Sequence, residues 1–309
     1  MEVFGPSLGA DAVGEARAAE AAGFSGVRVL DHLFCAINDG PVNTFDHPLV
    51  ALGAAAAVTN RIVLTQTMLD VTRRHPTEVA QAIATLDRLS GGRAELGLGA
   101  GWYLPEHNAV GISLGTPGTR VRRLLEALAI CRQMFTNSGR VDFDGDFYTA
   151  HVDVAWQPTE RTIPIVVGAS RPRLIAAAGT YADRLEILAP DDAGDGFVLD
   201  ADRLTTYMDS ARSSATAAGH PIEFGSRVTL RLGGSSAHVA RPLEIGGTPD
   251  DVVDAVERLA ALGFTRLTIL PLDGPSAAWV RDNVDTLKVD TLKVDTLKGV
   301  RTRDEVAAL

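Results

Sequence analysis

Three short stretches of the sequence collect residue types able to run redox or proton-transfer chemistry. The first is Asp31–His32, directly after the apolar run Val27–Leu30. Histidine titrates nearest neutrality, so it can donate a hydrogen bond to a ligand or move a proton. The adjacent aspartate can orient the imidazole or accept a hydrogen bond from a bound cofactor. The second stretch is Gly97–Trp102. Its glycines, with Ala100 between Gly99 and Gly101, let the backbone approach a planar ligand closely, and Trp102 offers an apolar wall. The third is Gly168–Arg171 ahead of Pro172. There, helix amides with Gly168, Ala169, Ser170 and Arg171 can cradle a phosphate, and the competing reading is an ordinary serine cap beside a solvated arginine.

Further residues stand close to these in sequence. Gln66–Thr67 follows a β-branched run and can contact the plane of a cofactor. Glu106, just beyond Trp102, can serve as an acid, a wall residue or an exposed surface carboxylate. Arg73, Arg74 and His75 are basic groups of which one can touch a phosphorylated ligand. Gly97–Trp102 lacks the spacing of a dinucleotide fingerprint, and no Gly-x-Ser-x-Gly elbow is present. His75 and Glu78 lack the further ligands a zinc site needs, so no metal is expected.

These stretches sit at the ends of β-branched runs that alternate with helical periods. The pattern predicts strands over 2–5, 26–30, 61–66, 94–99, 163–167, 184–188, 228–232 and 266–270, and helices over 12–22, 48–59, 76–89, 120–135, 172–179, 201–218 and 250–262. Eight strand candidates alternating with helices favour a closed (β/α)8 TIM barrel of the α/β class over an open doubly wound sheet. In that fold, chemistry gathers at the carboxyl ends of the strands, which is where Asp31–His32, Gln66–Thr67, Gly97–Trp102 and Gly168–Arg171 fall. Ala21–Ser25 and Ala261–Thr265 repeat one helix-ending junction in which glycine turns the chain and an aromatic packs back. Arg93, at the opposite face, is expected to pair with Asp87. An insertion between the fourth helix and fifth strand holds Val141–Tyr148, which reads as a hairpin turning at Asp144–Gly145. Residues 1–280 form one domain, followed by a tail over 281–309 that repeats Asp-Thr-Leu-Lys from Asp285, Asp290 and Asp295.

The chain of 309 residues is 46% hydrophobic and 22% charged, a globular composition. Its formal net charge of -10 disfavours nonspecific binding to nucleic acid or to anionic membranes. Two cysteines, Cys35 and Cys131, read as reduced thiols in a cytoplasmic protein. The sequence shows no signal-like start, and Ala51–Val58 is too short to span a bilayer.

The continuous stretch Arg74–Trp102, with Ala19–Phe24, Asp31–His32, Phe143–Tyr148 and Ile165–Gly168 in that order, resembles the luciferase-like monooxygenase superfamily. Within it, the likeness is particularly to bacterial deazaflavin-dependent oxidoreductases. The resemblance covers most of 10–270. It implies a barrel that binds coenzyme F420, with reduced FMN as the alternative cofactor, and Asp31–His32 beside the reactive ring. It further implies a cis peptide in the segment at Gln66–Thr67 and phosphate contacts at Gly168, Ala169 and Ser170. Sugar-phosphate-oxidising relatives carry a proton-donating glutamate where this chain has Trp102. The resemblance therefore disfavours that substrate class and passes proton transfer to His32 or, second, Glu106. The implied activity is hydride transfer to or from a small organic substrate, foremost an activated C=C or C=N bond in secondary metabolism. The alternatives are a reduced-FMN-dependent monooxygenase using molecular oxygen, and a non-catalytic cofactor-binding or assembly barrel. A separate F420 or flavin reductase and a homodimeric state are the implied partners.

Overall fold

A computed structural model describes residues 1–36, 42–136, 139–153, 161–188, 201–233, 244–271 and 274–288. Eight parallel strands form the barrel: β1 (Glu2–Ser7), β2 (Gly26–Val29), β3 (Val63–Gln66), β4 (Leu96–Gly99), β5 (Ile165–Ala169), β6 (Arg184–Ile187), β7 (Glu223–Leu232) and β8 (Arg266–Pro271). They pair in the order β3-β2-β1-β8-β7-β6-β5-β4. The ring closes between β3 and β4 through a parallel bridge from Leu64 to Ala94, and through Leu69–Asp70, which resumes the line of β3 and pairs with Leu98–Gly99. All eight expected strands form. The first, short in sequence, pairs on both sides, with Glu2–Phe4 against Arg266–Thr268 and Phe4 and Ser7 against Gly26 and Arg28.

Helices α1 (Ala12–Ala21), α2 (Pro48–Val58), α3 (Pro76–Ser90), α4 (Leu104–Val110), α5 (Pro117–Thr136), α6 (Pro172–Ala178), α7 (Ala201–Ala217), α8 (Pro249–Leu262), α9 (Gly274–Asp282) and α10 (Val284–Leu287) surround or cap the ring. Their starts follow local chemistry. Proline occupies the first turn of α2, α3, α6 and α8, where its missing N–H would lack a partner anyway. Thr248 and Asp251 close a reciprocal capping box on α8. The two repeated junctions behave alike: Gly23 (φ 88°) and Gly263 (φ 105°) turn left-handed, while Phe24 N and Phe264 N donate to Ala19 O and Leu259 O. Both phenylalanines are buried.

Between strands and helices lies the apolar core, including Val27, Val29, Leu64, Ile83, Leu98, Ile165 and Ile269. Inside the ring the filling is partly ionic. Glu95, at the start of β4, accepts from Arg266 Nη1 at 2.5 Å and Nη2 at 2.8 Å, and β8 stands diametrically opposite in the strand order. Arg184 Nη1 also donates to Glu95, at 3.1 Å, and Glu2 and Glu223 complete the cluster at the amino ends of the strands. Arg266 stacks on the Phe4 ring at 3.9 Å, and a side chain at Gly26 would meet that same ring within 2.4 Å.

Several expectations change in detail. Arg93 lies at the predicted face, but it clamps the end of α2 through Ala56 O, Thr59 O, Thr59 Oγ1 and Ile62 O; Asp87 pairs with Arg161 instead. The insertion does form a hairpin, Val141–Asp144 against Thr149–Val152. The hairpin Phe34–Ala36 against Val42–Thr44, helix α4 and the strand Glu244–Gly247 were not expected. The 280/281 boundary falls inside α9. Packed chain continues through the first tail repeat, where Leu287 is buried and Lys288 Nζ donates to Gly23 O. The repeats from Asp290 and Asp295 lie outside the described residues. Among the described residues no helix is long and apolar enough to cross a membrane.

Candidate active site

The carboxyl ends of β2, β3, β4 and β5 bring the sequence-selected stretches to one mouth. Val167 on β5 pairs with Leu98 on β4, so Gly168–Ala169 continues beside Gly99–Ala100. The glycines there serve a neighbour in the fold. A Cβ at Gly97 would lie 1.9 Å from Gln66 O, and one at Gly99 or Gly168 would lie 2.9 Å from Met68 side-chain carbons. The run thus makes room for Gln66 and Met68, where β3 is interrupted and the Thr67–Met68 peptide is cis. Gly101 turns with φ 77°, and its missing Cβ leaves room for the Asp70 carboxylate.

A charged relay runs along this mouth. Arg74 grips Asp31 with both Nη atoms, at 2.6 and 2.9 Å. Arg73 Nη2 reaches Asp31 Oδ1 at 2.6 Å and donates to Asp31 O, and its Nη1 donates to Glu106 Oε1 at 2.7 Å. Glu106 Oε2 in turn holds His32 Nδ1 at 2.9 Å, and Oε1 also accepts from Leu33 N. The relay is therefore Arg74, Asp31, Arg73, Glu106, His32. It links elements 33 to 74 residues apart in sequence, which is why no local motif announced it.

Two predicted roles change. Asp31 does not bond His32. Its oxygens are taken by Arg74, Arg73 and the Asp70 N–H, filling a carboxylate's ordinary acceptor capacity, so the cofactor hydrogen bond expected of it has no free oxygen to use. Burial would raise the Asp31 carboxyl, but the Arg74 fork, the charges of Arg74 and Arg73 and the Asp70 N–H together hold it below its ordinary value. Glu106 is neither wall nor surface acid. It is 1% exposed at the start of α4 and stands behind His32. Arg73 and Arg74, expected to reach a phosphate or solvent, are the two cations that order this relay. His75 caps α3 by accepting from Thr77 N.

His32 is the last member of the relay. Nδ1 is directed at Glu106 Oε2, and among the described residues Nε2 makes no hydrogen bond. Its side chain is 14% exposed. Rings surround it: Phe45 at 5.9 Å, Trp102 edge-on at 5.7 Å and Tyr103 edge-on at 6.1 Å. Trp102 is 53% exposed, and Leu33 and Leu104, next in the chain to His32 and Tyr103, are exposed as well. Phe45 and Tyr103 were missed because aromatics in loops carry no periodic signal. Behind this shell, His107 is fully buried, with Nδ1 toward Tyr103 O and Nε2 toward Thr72 Oγ1 and Asp70, fixing the Gly101–Tyr103 turn.

The remaining predicted contacts fall on the same rim. Gln66 accepts from Gly97 N through Oε1, while its Nε2 is buried without a partner. Thr67 Oγ1 accepts from Arg28 at 2.8 Å. Ser170 does not cap α6. The cap position is Arg171, whose side chain makes no capping bond, and Ser170 is half-buried while Arg171 is exposed. The hairpin insertion is tied to this rim, because Tyr148 Oη donates to Val71 O at 2.6 Å and its ring meets His75 edge-on.

A family profile described as luciferase-like monooxygenase matches residues 7–241. The chain belongs to the luciferase-like monooxygenase family. One relative, an F420-dependent glucose-6-phosphate dehydrogenase of Nakamurella multipartita, is 37% identical over 185 residues, 59% of this chain and 52% of its own length. This chain thus matches about half the length of that relative. In fold, it is similar to an F420-dependent secondary alcohol dehydrogenase, with TM-score 0.78 and 17% identity over 93% of this chain and 99% of that one. It is also similar to a monooxygenase from Streptomyces bottropensis, with TM-score 0.72 and 20% identity over 93% and 98% of the two chains. At these identities the structural likeness establishes the shared barrel.

Proposed function

We propose that this luciferase-like chain is a coenzyme F420-dependent oxidoreductase that transfers a hydride to or from a small organic substrate, foremost an activated C=C or C=N bond. The observation that carries the reading is the His32–Glu106 dyad, held through Nδ1 among three aromatic rings with no hydrogen bond to Nε2 among the described residues. The relative named as an F420-dependent dehydrogenase supports the same cofactor.

The mouth suits that group. Its floor carries a buried donor without a partner, Gln66 Nε2, and the adjoining strand ends offer small residues, Gly99, Ala100, Gly101, Gly168 and Ala169. Gln66, Thr67 and the Gly99–Trp102 backbone would hold the ring, and Gly168, Ala169, Ser170 and Arg171 would hold its phosphate-bearing tail. When bound, the deazaflavin supplies two-electron hydride chemistry. The protein supplies orientation, exclusion of water and a proton site.

His32 holds or receives the proton at Nε2. Glu106 accepts from Nδ1 and favours the charged imidazole as it forms, while Arg73 keeps that carboxylate in place. Trp102 contributes an apolar wall where the sugar-phosphate relatives have a proton-donating glutamate, which directs the site to substrates without a sugar phosphate. In this reading a separate F420 reductase supplies the reduced coenzyme, and the protein works as a cytoplasmic homodimer. Anaerobic turnover with reduced F420 against a panel of enones, imines and pyrrolines tests it, with substrate-dependent loss of the reduced absorbance expected. Turnover that requires oxygen and reduced FMN would replace it with the monooxygenase reading.

A further inference from the structure

Between the ion cluster at the barrel base and the dyad at its mouth lies a cation that neither employs. Arg28 stands on β2, three residues before Asp31, and is 3% exposed. Among the described residues its guanidinium makes one hydrogen bond, from Nη1 to Thr67 Oγ1 at 2.8 Å. Its Nε is buried without a partner. A buried guanidinium is ordinarily forked onto a carboxylate, as Arg266 is onto Glu95, because an isolated charge is costly to remove from water. Arg28 has no such ion pair among the described residues. Glu186, 2% exposed on the opposite strand β6, acts on it through the field across the barrel, and Arg227 on β7 adds a second positive charge to that field. Burial first, and Arg227 second, lower the Arg28 guanidinium to about 10, which leaves it charged at neutral pH.

The single hydrogen bond aims this charge at Thr67, on the rim assigned to the ring in the functional reading. We infer that Arg28 is the fixed cation beneath the ring-binding mouth, favouring the bound coenzyme in the state that carries the negative charge left by hydride uptake. The inference rests on the F420 reading. Charge balance motivates it. A hydride brings two electrons and one proton, so a neutral ring that takes it from a substrate C–H gains one negative charge. The oxidised substrate releases its O–H or N–H proton to His32 Nε2. The chain would then divide the work, with His32 taking the proton on the mouth side and Arg28 balancing the electron-pair charge from the barrel side.

The test is equilibrium binding of oxidised and of reduced F420 to the purified protein, followed by absorbance and fluorescence under anaerobic conditions. Arg28→Met should weaken the reduced form at least tenfold and leave the oxidised form within twofold. For a two-electron couple, that lowers the midpoint potential of the bound coenzyme by about 30 mV. Arg28→Lys, which keeps the charge, should recover most of the preference. If Arg28→Met does not fold, Arg28→Gln serves in its place, since it removes the charge and keeps a donor for Thr67 Oγ1; a selective loss of the same order on the reduced form is expected. Equal weakening of both forms, or none, in the variant that folds would overturn the inference while leaving the F420 reading intact. Wild-type protein that binds neither form would overturn that reading and this inference with it.

Discussion

The barrel uses arginine–carboxylate contacts at both ends, and the two ends differ in what they leave open. At the base, Glu95 receives Arg266 and Arg184, and Glu2 and Glu223 take up further donors of the same two arginines. Every member of that cluster has an ionic partner on another strand. At the mouth, Arg74, Asp31, Arg73 and Glu106 are bonded in the same way, but the relay ends on His32, whose Nε2 makes no hydrogen bond among the described residues. The same contacts therefore hold strands together at one end and aim a titratable atom at the other. Ion pairing alone does not mark a functional site.

The sharpest way to separate the ends is to break one carboxylate in each. Glu95→Gln leaves Arg266 and Arg184 buried with a neutral neighbour. Loss of one partner from a buried pair costs about 3–5 kcal/mol, so urea denaturation should show a loss of that order. His32→Ala should leave the denaturation midpoint nearly unchanged while turnover falls about 10²- to 10⁴-fold, the range of a general acid–base group. Unchanged turnover would remove His32 from the chemistry.

Glu106 distinguishes the relay from a mere packing cluster. Glu106→Gln keeps the shape but loses the charge that favours protonated His32. Turnover is expected to fall about 10- to 100-fold, by analogy with groups that orient a histidine ligand. The accompanying sign is a change in the pH–rate profile, because the carboxylate that holds Nδ1 is gone. A fall in rate with an unaltered profile would make Glu106 structural only.

The two ends also differ from the middle of the ring in how stability follows pH. Burial would raise Glu95, but Arg266 and Arg184 hold it below the ordinary carboxylate value. Its contribution to stability is present above the unfolded pKa of about 4.3 and is lost as pH falls through the lower folded value. Glu186 is the opposite case: burial raises it, and the charges of Arg266, Arg28 and Arg184 only partly offset this. The folded state then binds more protons than the unfolded state, so stability declines as pH rises from the unfolded value towards the raised one. Glu95→Gln should weaken the acid-side loss, and Glu186→Gln should remove the decline above it. Denaturation midpoints measured across that range check both signs.

Much of this contrast was legible in the sequence on one side only. Strand and helix order followed from periodicity, and the position of Asp31–His32 after Val27–Leu30 placed the histidine at the mouth. The Ala21–Ser25 and Ala261–Thr265 junctions were readable because a helix-ending glycine is a local signal. The partners of Asp31 and Glu106 were not legible, because Arg73 and Arg74 meet them only through the fold. The glycine run was recognised as permissive, yet its neighbour Met68 comes from another strand. Short-range rules located the chain's elements, whereas the direction of a long polar side chain depends on charges that only tertiary closure brings near.

The smallest effect tests whether the insertion supports the relay. Tyr148 comes from the hairpin between α5 and β5, and its hydroxyl donates to Val71 O, two residues before Arg73. Glu126 on α5 holds the hairpin turn by accepting from the N–H groups of Asp146, Phe147 and Tyr148. Tyr148→Phe removes one hydrogen bond and leaves the ring against His75, so a stability loss of about 1 kcal/mol is expected. If the loop needs that anchor to keep Arg73 on Glu106, turnover should drop a few-fold and the pH–rate profile should shift in the direction seen for Glu106→Gln. A stability loss without that shift would confine the hairpin to packing. A shift would extend the relay from the mouth to the inserted segment, giving the catalytic end a support that the closed cluster at the base does not require.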